Sequence, residues 1–328
     1  MKSSVPIGHG KENYMRAIAE EKFGGPITLM DLPAPEIGTD EVLIRVRAAG
    51  VNPFDWKVAD GALEGEREHR FPLILGFDAA GVVERVGASV TRFTKGDEVY
   101  GYLFKLVIGG GAYAEYVGAP ANIIAKKPES VGFAEAAALP TPGLTAMDLL
   151  DAVNLGEGET ALIVGATGGV GSYAVQLAAR RGAHVIATAR SSNEAFVREL
   201  GAVETIDHTK EDLVESVLVT HPDGIEAVVD VVSDREALGR IARLVKRGGS
   251  VATSVYAADA ESLARRGIEA TNVGARPDAR RLAELARLVD AGELSVRTER
   301  AFPLEGAPEA LEASRTGHVR GKLVLLAD

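Results

Sequence analysis

Residues 161–171 read Ala-Leu-Ile-Val-Gly-Ala-Thr-Gly-Gly-Val-Gly, an apolar run that breaks into a glycine-rich turn and passes at once into a helix-forming stretch. This is the phosphate-binding pattern G-x-G-x-x-G in the form Ala166-x-Gly168-x-x-Gly171, with alanine at the first position. Gly168 lets the backbone approach a pyrophosphate, and Gly171 lets the helix pack closely on the strand. The unpaired N–H groups at the helix start favour an anion. The strand before and the helix after supply the context that such a fingerprint requires. Ala166, Thr167, Gly168, Gly169, Val170 and Gly171 are therefore assigned to binding a dinucleotide. About 20 residues further on, an NAD site carries an acid for the ribose 2′-hydroxyl. Here the chain reads Ala189-Arg190-Ser191-Ser192 and has no acid. Arg190 can pair with a 2′-phosphate and Ser191 can donate to it, which points to NADP(H). The competing reading is a surface arginine before a helix that Ser192 caps.

Other chemistries are bounded by composition. The chain has no cysteine, which removes disulfides, thiolate metal sites and a cysteine nucleophile. The histidines stand at positions 9, 69, 184, 208, 221 and 318, with no pair at metal-ligand spacing, so no metal site is expected. A formal net charge of −11 opposes non-specific nucleic-acid binding. No apolar run reaches the roughly 18 residues that a membrane span needs, and residues 1–14 lack the apolar centre of a secretory signal. They are expected to form a disordered extension, with strand-like sequence beginning at Met15, and the protein is expected to be cytoplasmic.

These residues need elements to position them. From 15 to 127 the sequence is made of short β-branched runs bounded by Gly, Asp or Pro, among them 41–46, 81–86 and 97–100, the texture of a compact all-β unit. From about Phe133 it alternates. Strand candidates at 161–164, 184–189, 205–207, 227–232, 250–255 and 269–273 are separated by helical patterns such as 170–180, 194–200 and 235–245. That alternation predicts an α/β fold with a doubly wound parallel sheet of six strands, covered on both faces. A helix over 278–290 follows, and a last strand over 322–326 is expected to return to the first unit. The division is thus 15–127, joined by 295–328, and a dinucleotide-binding unit over 128–294.

Several segments, taken in order, resemble a known family. They are Gly50-Val51-Asn52-Pro53-Phe54-Asp55-Trp56-Lys57, Gly76-Phe77-Asp78-Ala79-Ala80-Gly81, Gly96-Asp97-Glu98-Val99-Tyr100-Gly101, Gly111-Ala112-Tyr113-Ala114-Glu115-Tyr116 and Leu139-Pro140-Thr141-Pro142-Gly143-Leu144-Thr145-Ala146. The chain resembles the medium-chain dehydrogenase/reductases, in particular the quinone oxidoreductase and zeta-crystallin branch. The resemblance implies a GroES-like β domain beside a Rossmann domain, with the active site in the cleft between them. It implies hydride transfer from NADPH to quinones or to α,β-unsaturated carbonyl and enoyl compounds, and a homodimer joined along the last Rossmann strand. The alternatives are a non-catalytic NADPH-binding protein and a metal-independent ketone or aldehyde reductase.

The departures from the zinc alcohol dehydrogenases of that superfamily are informative. Asn52 stands where those enzymes place a zinc-ligand cysteine, and Phe77-Asp78 where they place His-Glu. The resemblance makes Asn52 an active-site donor and places Thr145 against the nicotinamide. Lys57 is a second candidate donor, at a place where zeta-crystallin-like members carry a tyrosine. Asp55 and Asp78 are expected to be structural. Tyr100, Tyr102 and Tyr113 are potential proton donors for which aromatic packing is the stronger expectation.

Overall fold

The computed structural model describes residues 14–327. Apart from Tyr14, the extension expected over 1–14 lies outside the described residues; Tyr14 itself opens the first strand. The N-terminal unit contains β1 (Tyr14–Glu20), β2 (Thr28–Pro33), β3 (Glu41–Val51), α1 (Pro53–Ala59), β4 (Glu68–Ile74), β5 (Asp78–Val86), β6 (Glu98–Tyr102), β7 (Val107–Gly110), β8 (Tyr116–Pro120) and β9 (Ile124–Lys126). Two helices, α2 (Phe133–Ala137) and the longer α3 (Pro140–Ala152), lead into the second unit.

That unit alternates as its sequence demands. It runs β10 (Thr160–Val164), α4 (Gly169–Arg180), β11 (His184–Thr188), α5 (Glu194–Glu199), β12 (Glu204–Ile206), α6 (Leu213–Thr220), β13 (Ile225–Asp230), α7 (Arg235–Ile241), β14 (Val245–Thr253), α8 (Ala260–Ala264), β15 (Glu269–Asn272) and α9 (Ala279–Asp290). Its six strands form a parallel sheet in the order β12-β11-β10-β13-β14-β15, the Rossmann arrangement. Consecutive residues Leu162 and Ile163, and Val228 and Val229, are all fully buried. A strand covered by helices on both faces has no solvent side, so it reads as an unbroken apolar run. β14 starts earlier than its apolar core suggests, because a register shift against β13 lets Arg247-Gly248-Gly249 bulge before Ser250.

The chain then closes with β16 (Thr298–Pro303), α10 (Ala307–Arg315) and β17 (Lys322–Leu326). β17 lies antiparallel to β3, with Leu323 opposite Val51, and completes a seven-stranded sheet in which β16-β17-β3-β5-β6-β9 follow in order and β8 pairs with β3 off that path. The same stretch touches the second unit, since the Gly321 N–H donates to the Thr167 carbonyl at 2.8 Å. The start of β17 is therefore wedged between the glycine-rich turn and the end of β3. Among the described residues, no helix is long and apolar enough to cross a membrane.

Candidate active site

The turn after β10 is shaped by two close approaches. Gly165 adopts φ +84, a left-handed conformation that side chains other than glycine resist. A β-carbon on Gly171 would lie 2.1 Å from the Gly165 carbonyl oxygen, so α4 can leave the strand at this angle only with glycine there. At Gly168, the N-cap of α4, the nearest atom to an added β-carbon is 3.6 Å away, which leaves that side open to a ligand. The first N–H groups of a twelve-residue helix face this opening. This arrangement fits a dinucleotide pyrophosphate. Ala166 is buried beneath the turn, Val170 lines the adjoining cleft, and Gly169 packs on the aliphatic stem of Lys322.

Past the end of β11, Arg190 is exposed; its carbonyl accepts from the Asn193 N–H at 2.8 Å, and its guanidinium makes no hydrogen bond or ion pair among the described residues. Ser191 is differently placed from the expectation. Its N–H and its hydroxyl both donate to Asp207 Oδ2, at 2.7 and 2.6 Å, so its hydrogen is already committed to a carboxylate. Lys210 donates to Ser191 Oγ at 2.7 Å and pairs with Asp207 Oδ2 at 3.7 Å, which brings a second cation to the residue after Arg190. No Ser192 hydroxyl caps α5; its N-cap is Asn193, which makes no side-chain cap bond.

Between the two units lies a cleft of about 1740 Å³, lined among others by Asn52, Lys57, Tyr102, Thr145 and Tyr256. Asn52 directly follows β3 and is the N-cap residue of α1; Pro53 supplies the preset first helical residue. The Asn52 side chain is 4% exposed and held at both ends. Its Nδ2 donates to Asp78 Oδ2 at 2.9 Å, and its Oδ1 accepts from Lys322 Nζ at 2.6 Å. Lys322 also donates to the Val51 carbonyl at 2.5 Å. Asp78 Oδ1 accepts from the Thr141 N–H and hydroxyl at 3.0 and 2.6 Å, which ties the β domain to the start of α3. On the other side, Asp55 Oδ2 accepts from the Asn52 N–H at 2.6 Å and from the Tyr113 hydroxyl at 2.8 Å.

Two aspartates and one lysine thus share a dry network. Burial pushes the Asp55 carboxyl up to about 7, against the opposing pull of the Asn52 and Tyr113 bonds. Burial likewise raises Asp78 and lowers Lys322, while their mutual attraction favours the charged forms of both. The expectation that Asp55 and Asp78 are structural matches their contacts, but those contacts also orient Asn52. One of the two Nδ2 hydrogens of Asn52 goes to Asp78, and the second remains for a group in the cleft.

The other predicted residues separate. Lys57 is exposed on α1, 5.5 Å from the Trp56 ring centre, and stands at the cleft wall outside this network. Thr145 is buried on α3, where its hydroxyl donates to the Thr141 carbonyl at 2.7 Å, and it too lines the cleft. Tyr100 donates to the Leu282 carbonyl and Tyr113 to Asp55, so both are packed structural groups. Tyr102 borders the cleft, and burial with the nearby Asp78 and Asp55 pushes its hydroxyl well up, so it keeps its proton. Sequence reading missed Lys322, whose one signal is a charge opening an otherwise apolar last strand. It also missed Tyr256, a non-glycine residue at φ +59 in the cleft.

The residues at the zinc-ligand places do not fit a zinc ion. Asn52 and Phe77 are poor ligands, Asp78 is already bonded to Thr141 and Asn52, and the Lys322 ammonium supplies the positive charge there.

This two-unit architecture and cleft are those of the alcohol dehydrogenase-like oxidoreductases. Residues 38–129 match the alcohol dehydrogenase GroES-like domain, and residues 200–325 match the zinc-binding dehydrogenase domain. The chain belongs to the medium-chain dehydrogenase/reductase superfamily. Within it, the chain is 33% identical to a chloroplast envelope quinone oxidoreductase homolog of Arabidopsis thaliana, over 95% of this chain and 98% of that protein. It is 31% identical to an NADPH-dependent alkenal/one oxidoreductase of the same plant, over 95% of this chain and 79% of that protein. Among solved structures, the quinone oxidoreductase from Coxiella burnetii superposes with a TM-score of 0.86 at 33% identity, covering 96% of this chain and 100% of that one.

Proposed function

We propose that this protein is an NADPH-dependent reductase of quinones and of α,β-unsaturated carbonyl or enoyl compounds, and that its hydride-transfer site works without a metal. The observation that carries this reading is the Asn52 amide, clamped between Asp78 and Lys322 at the cleft wall, where zinc enzymes of the superfamily hold their metal. NADPH, when bound, supplies the hydride. The chain supplies position and electrostatics: the Gly168 turn faces the pyrophosphate, Arg190 and Lys210 face the 2′-phosphate, and Thr145 bounds the nicotinamide side of the cleft. A conjugated acceptor spreads its developing negative charge onto a distant oxygen, which needs a preorganised donor rather than a strong Lewis acid. The free Nδ2 hydrogen of Asn52 meets that need, and Tyr102 and Lys57 stand at the same wall. The similarity to an Arabidopsis quinone oxidoreductase homolog and to an NADPH-dependent alkenal/one oxidoreductase of the same plant supports the same acceptor class.

The test is NADPH oxidation measured against a panel of quinones, enones, enoyl thioesters, aldehydes and simple ketones, with NADH as control. The expected result is turnover of the conjugated acceptors with preference for NADPH, unaffected by a chelator. Equal use of NADH would overturn the cofactor assignment. Turnover confined to aldehydes and simple ketones, or abolished by a chelator, would overturn the acceptor class or the metal-free site respectively.

A further inference from the structure

At the opposite end of the Rossmann sheet from the cofactor turn, three side chains converge that are far apart in sequence. His184 opens β11, Glu204 opens the neighbouring edge strand β12, and His221 follows the last turn of α6, which returns to this end of the sheet. Both imidazoles aim Nε2 at one carboxylate oxygen: His184 lies 2.5 Å and His221 2.9 Å from Glu204 Oε1. The Thr220 hydroxyl donates to the other oxygen, Oε2, at 3.2 Å and fixes the plane of the carboxylate. The three ligand atoms lie within 4.8 Å of one another, and the side chains are only 34%, 29% and 19% exposed for His184, Glu204 and His221.

We propose that His184, Glu204 and His221 form a binding site for one divalent transition-metal ion, zinc by its ligand chemistry. Two imidazole nitrogens and one carboxylate oxygen make a nitrogen-rich set that suits Zn²⁺ and disfavours Ca²⁺ and Mg²⁺, which take oxygen ligands. At metal–ligand distances of about 2.0–2.2 Å, tetrahedral ligand atoms stand roughly 3.3 Å apart. The two histidine–glutamate pairs therefore need to open by less than about 1 Å, and the two histidine nitrogens, no more than 4.8 Å apart, to close by no more than about 1.5 Å, within the reach of side-chain torsions. The ion takes the place of the hydrogens that now bridge the rings to Glu204, and water fills the fourth position. Thr220 is the outer partner that keeps the carboxylate oriented. The site ties the edge strand β12 to β11 and to the end of α6. Its position at the N-terminal ends of the parallel strands separates it from the cofactor and the hydride acceptor, so it is independent of the reductase reading.

The experiment uses the full chain without an affinity tag, stripped with a chelator and titrated with Zn²⁺ by calorimetry and with Co²⁺ by visible absorption. The expected result is one ion per chain, a rise in melting temperature with Zn²⁺ and none with Mg²⁺. His184→Gln and His221→Gln should each weaken binding by at least about 10- to 100-fold, the loss seen even for outer partners of a metal site. His318→Gln, at an exposed position, should leave it unchanged. Far-ultraviolet circular dichroism checks that the variants fold. In the unsubstituted protein, Zn²⁺ should shield His184 and His221, but not His208 or His318, from diethylpyrocarbonate, read by peptide mass spectrometry. Failure to take up one Zn²⁺ per chain, or equal modification of His184 and His221 with and without Zn²⁺, would overturn the site.

Discussion

The network around Asn52 makes separable demands on single residues. Asn52→Ala removes a donor that acts when charge develops on the acceptor, so turnover should drop about 10²–10³-fold. NADPH affinity should stay where it is, since Asn52 does not face the phosphates. The comparison requires a primary isotope effect with deuterated NADPH, because slow product release would mask the chemical step. Near-normal turnover would shift the electrophile to Lys57 or Tyr102. Lys322→Met presents the opposite case, a residue whose first effect is on stability. Removing one partner from a buried ionic group strands the other, at a cost of about 3–5 kcal/mol. Urea unfolding of Lys322→Met alone and with Asp78→Asn checks this: the double variant should recover part of the loss, and a loss below about 1 kcal/mol for the single variant would contradict the network. At the 2′-phosphate end, Arg190→Ala should raise the NADPH Michaelis constant roughly 10- to 100-fold, as expected for losing one charge-assisted contact. With Ser191 committed to Asp207, the proposed preference for NADPH rests on Arg190 and Lys210.

At the scale of elements, the β10–turn–α4 unit depends on its glycine. Gly171→Ala would place a methyl group 2.1 Å from the Gly165 oxygen. Either α4 moves out or the turn opens, and overpacking of this kind costs about 1–3 kcal/mol. Thermal unfolding and NADPH titration should both register the change, whereas Gly168→Ala, with open space at its β-carbon, should lose cofactor affinity with little loss of stability. The last Rossmann strand poses a different question. β15 pairs with β14 on one side and, among the described residues, with no strand on the other. Such edges are covered or paired in native proteins. Pairing of β15 with its copy in a second chain would give the homodimer expected from sequence, and light scattering at micromolar concentration decides between dimer and monomer.

For the molecule as a whole, the buried acids at the junction make stability depend on pH. The Asp55 carboxyl rises from its ordinary 3.8 to about 7 in the folded chain. Between those values the folded state holds more protons than the unfolded one, so this group's contribution falls as pH rises through the window and is level above it. Asp55→Asn removes that dependence. The melting temperature of Asp55→Asn minus that of the unsubstituted protein should increase from pH 5 to pH 8 and change little beyond. A difference independent of pH would show that Asp55 titrates in its ordinary range.

Periodicity and turn chemistry make the second unit legible in the sequence alone. Strands buried on both faces must be apolar throughout, and a helix that leaves a strand over a pyrophosphate needs glycine at fixed places, so β10, α4 and their neighbours carry their own signature. The strand-rich first unit and the glycine pattern likewise declared the fold class. Local sequence could not disclose what depends on distant segments meeting. Lys322 looks like the start of an ordinary strand until β17 returns beside β3 and sets its ammonium against Asn52. Ser191 reads as a phosphate donor until the end of β12 brings Asp207 to its hydroxyl. His184, Glu204 and His221 have no recognisable spacing, because a parallel sheet with helical crossovers brings strand starts and helix ends together at one edge whatever the length of chain between them. Side-chain type and short-range spacing encode what an element is; which charges share a dry space follows from topology, and topology arises only when the whole chain packs.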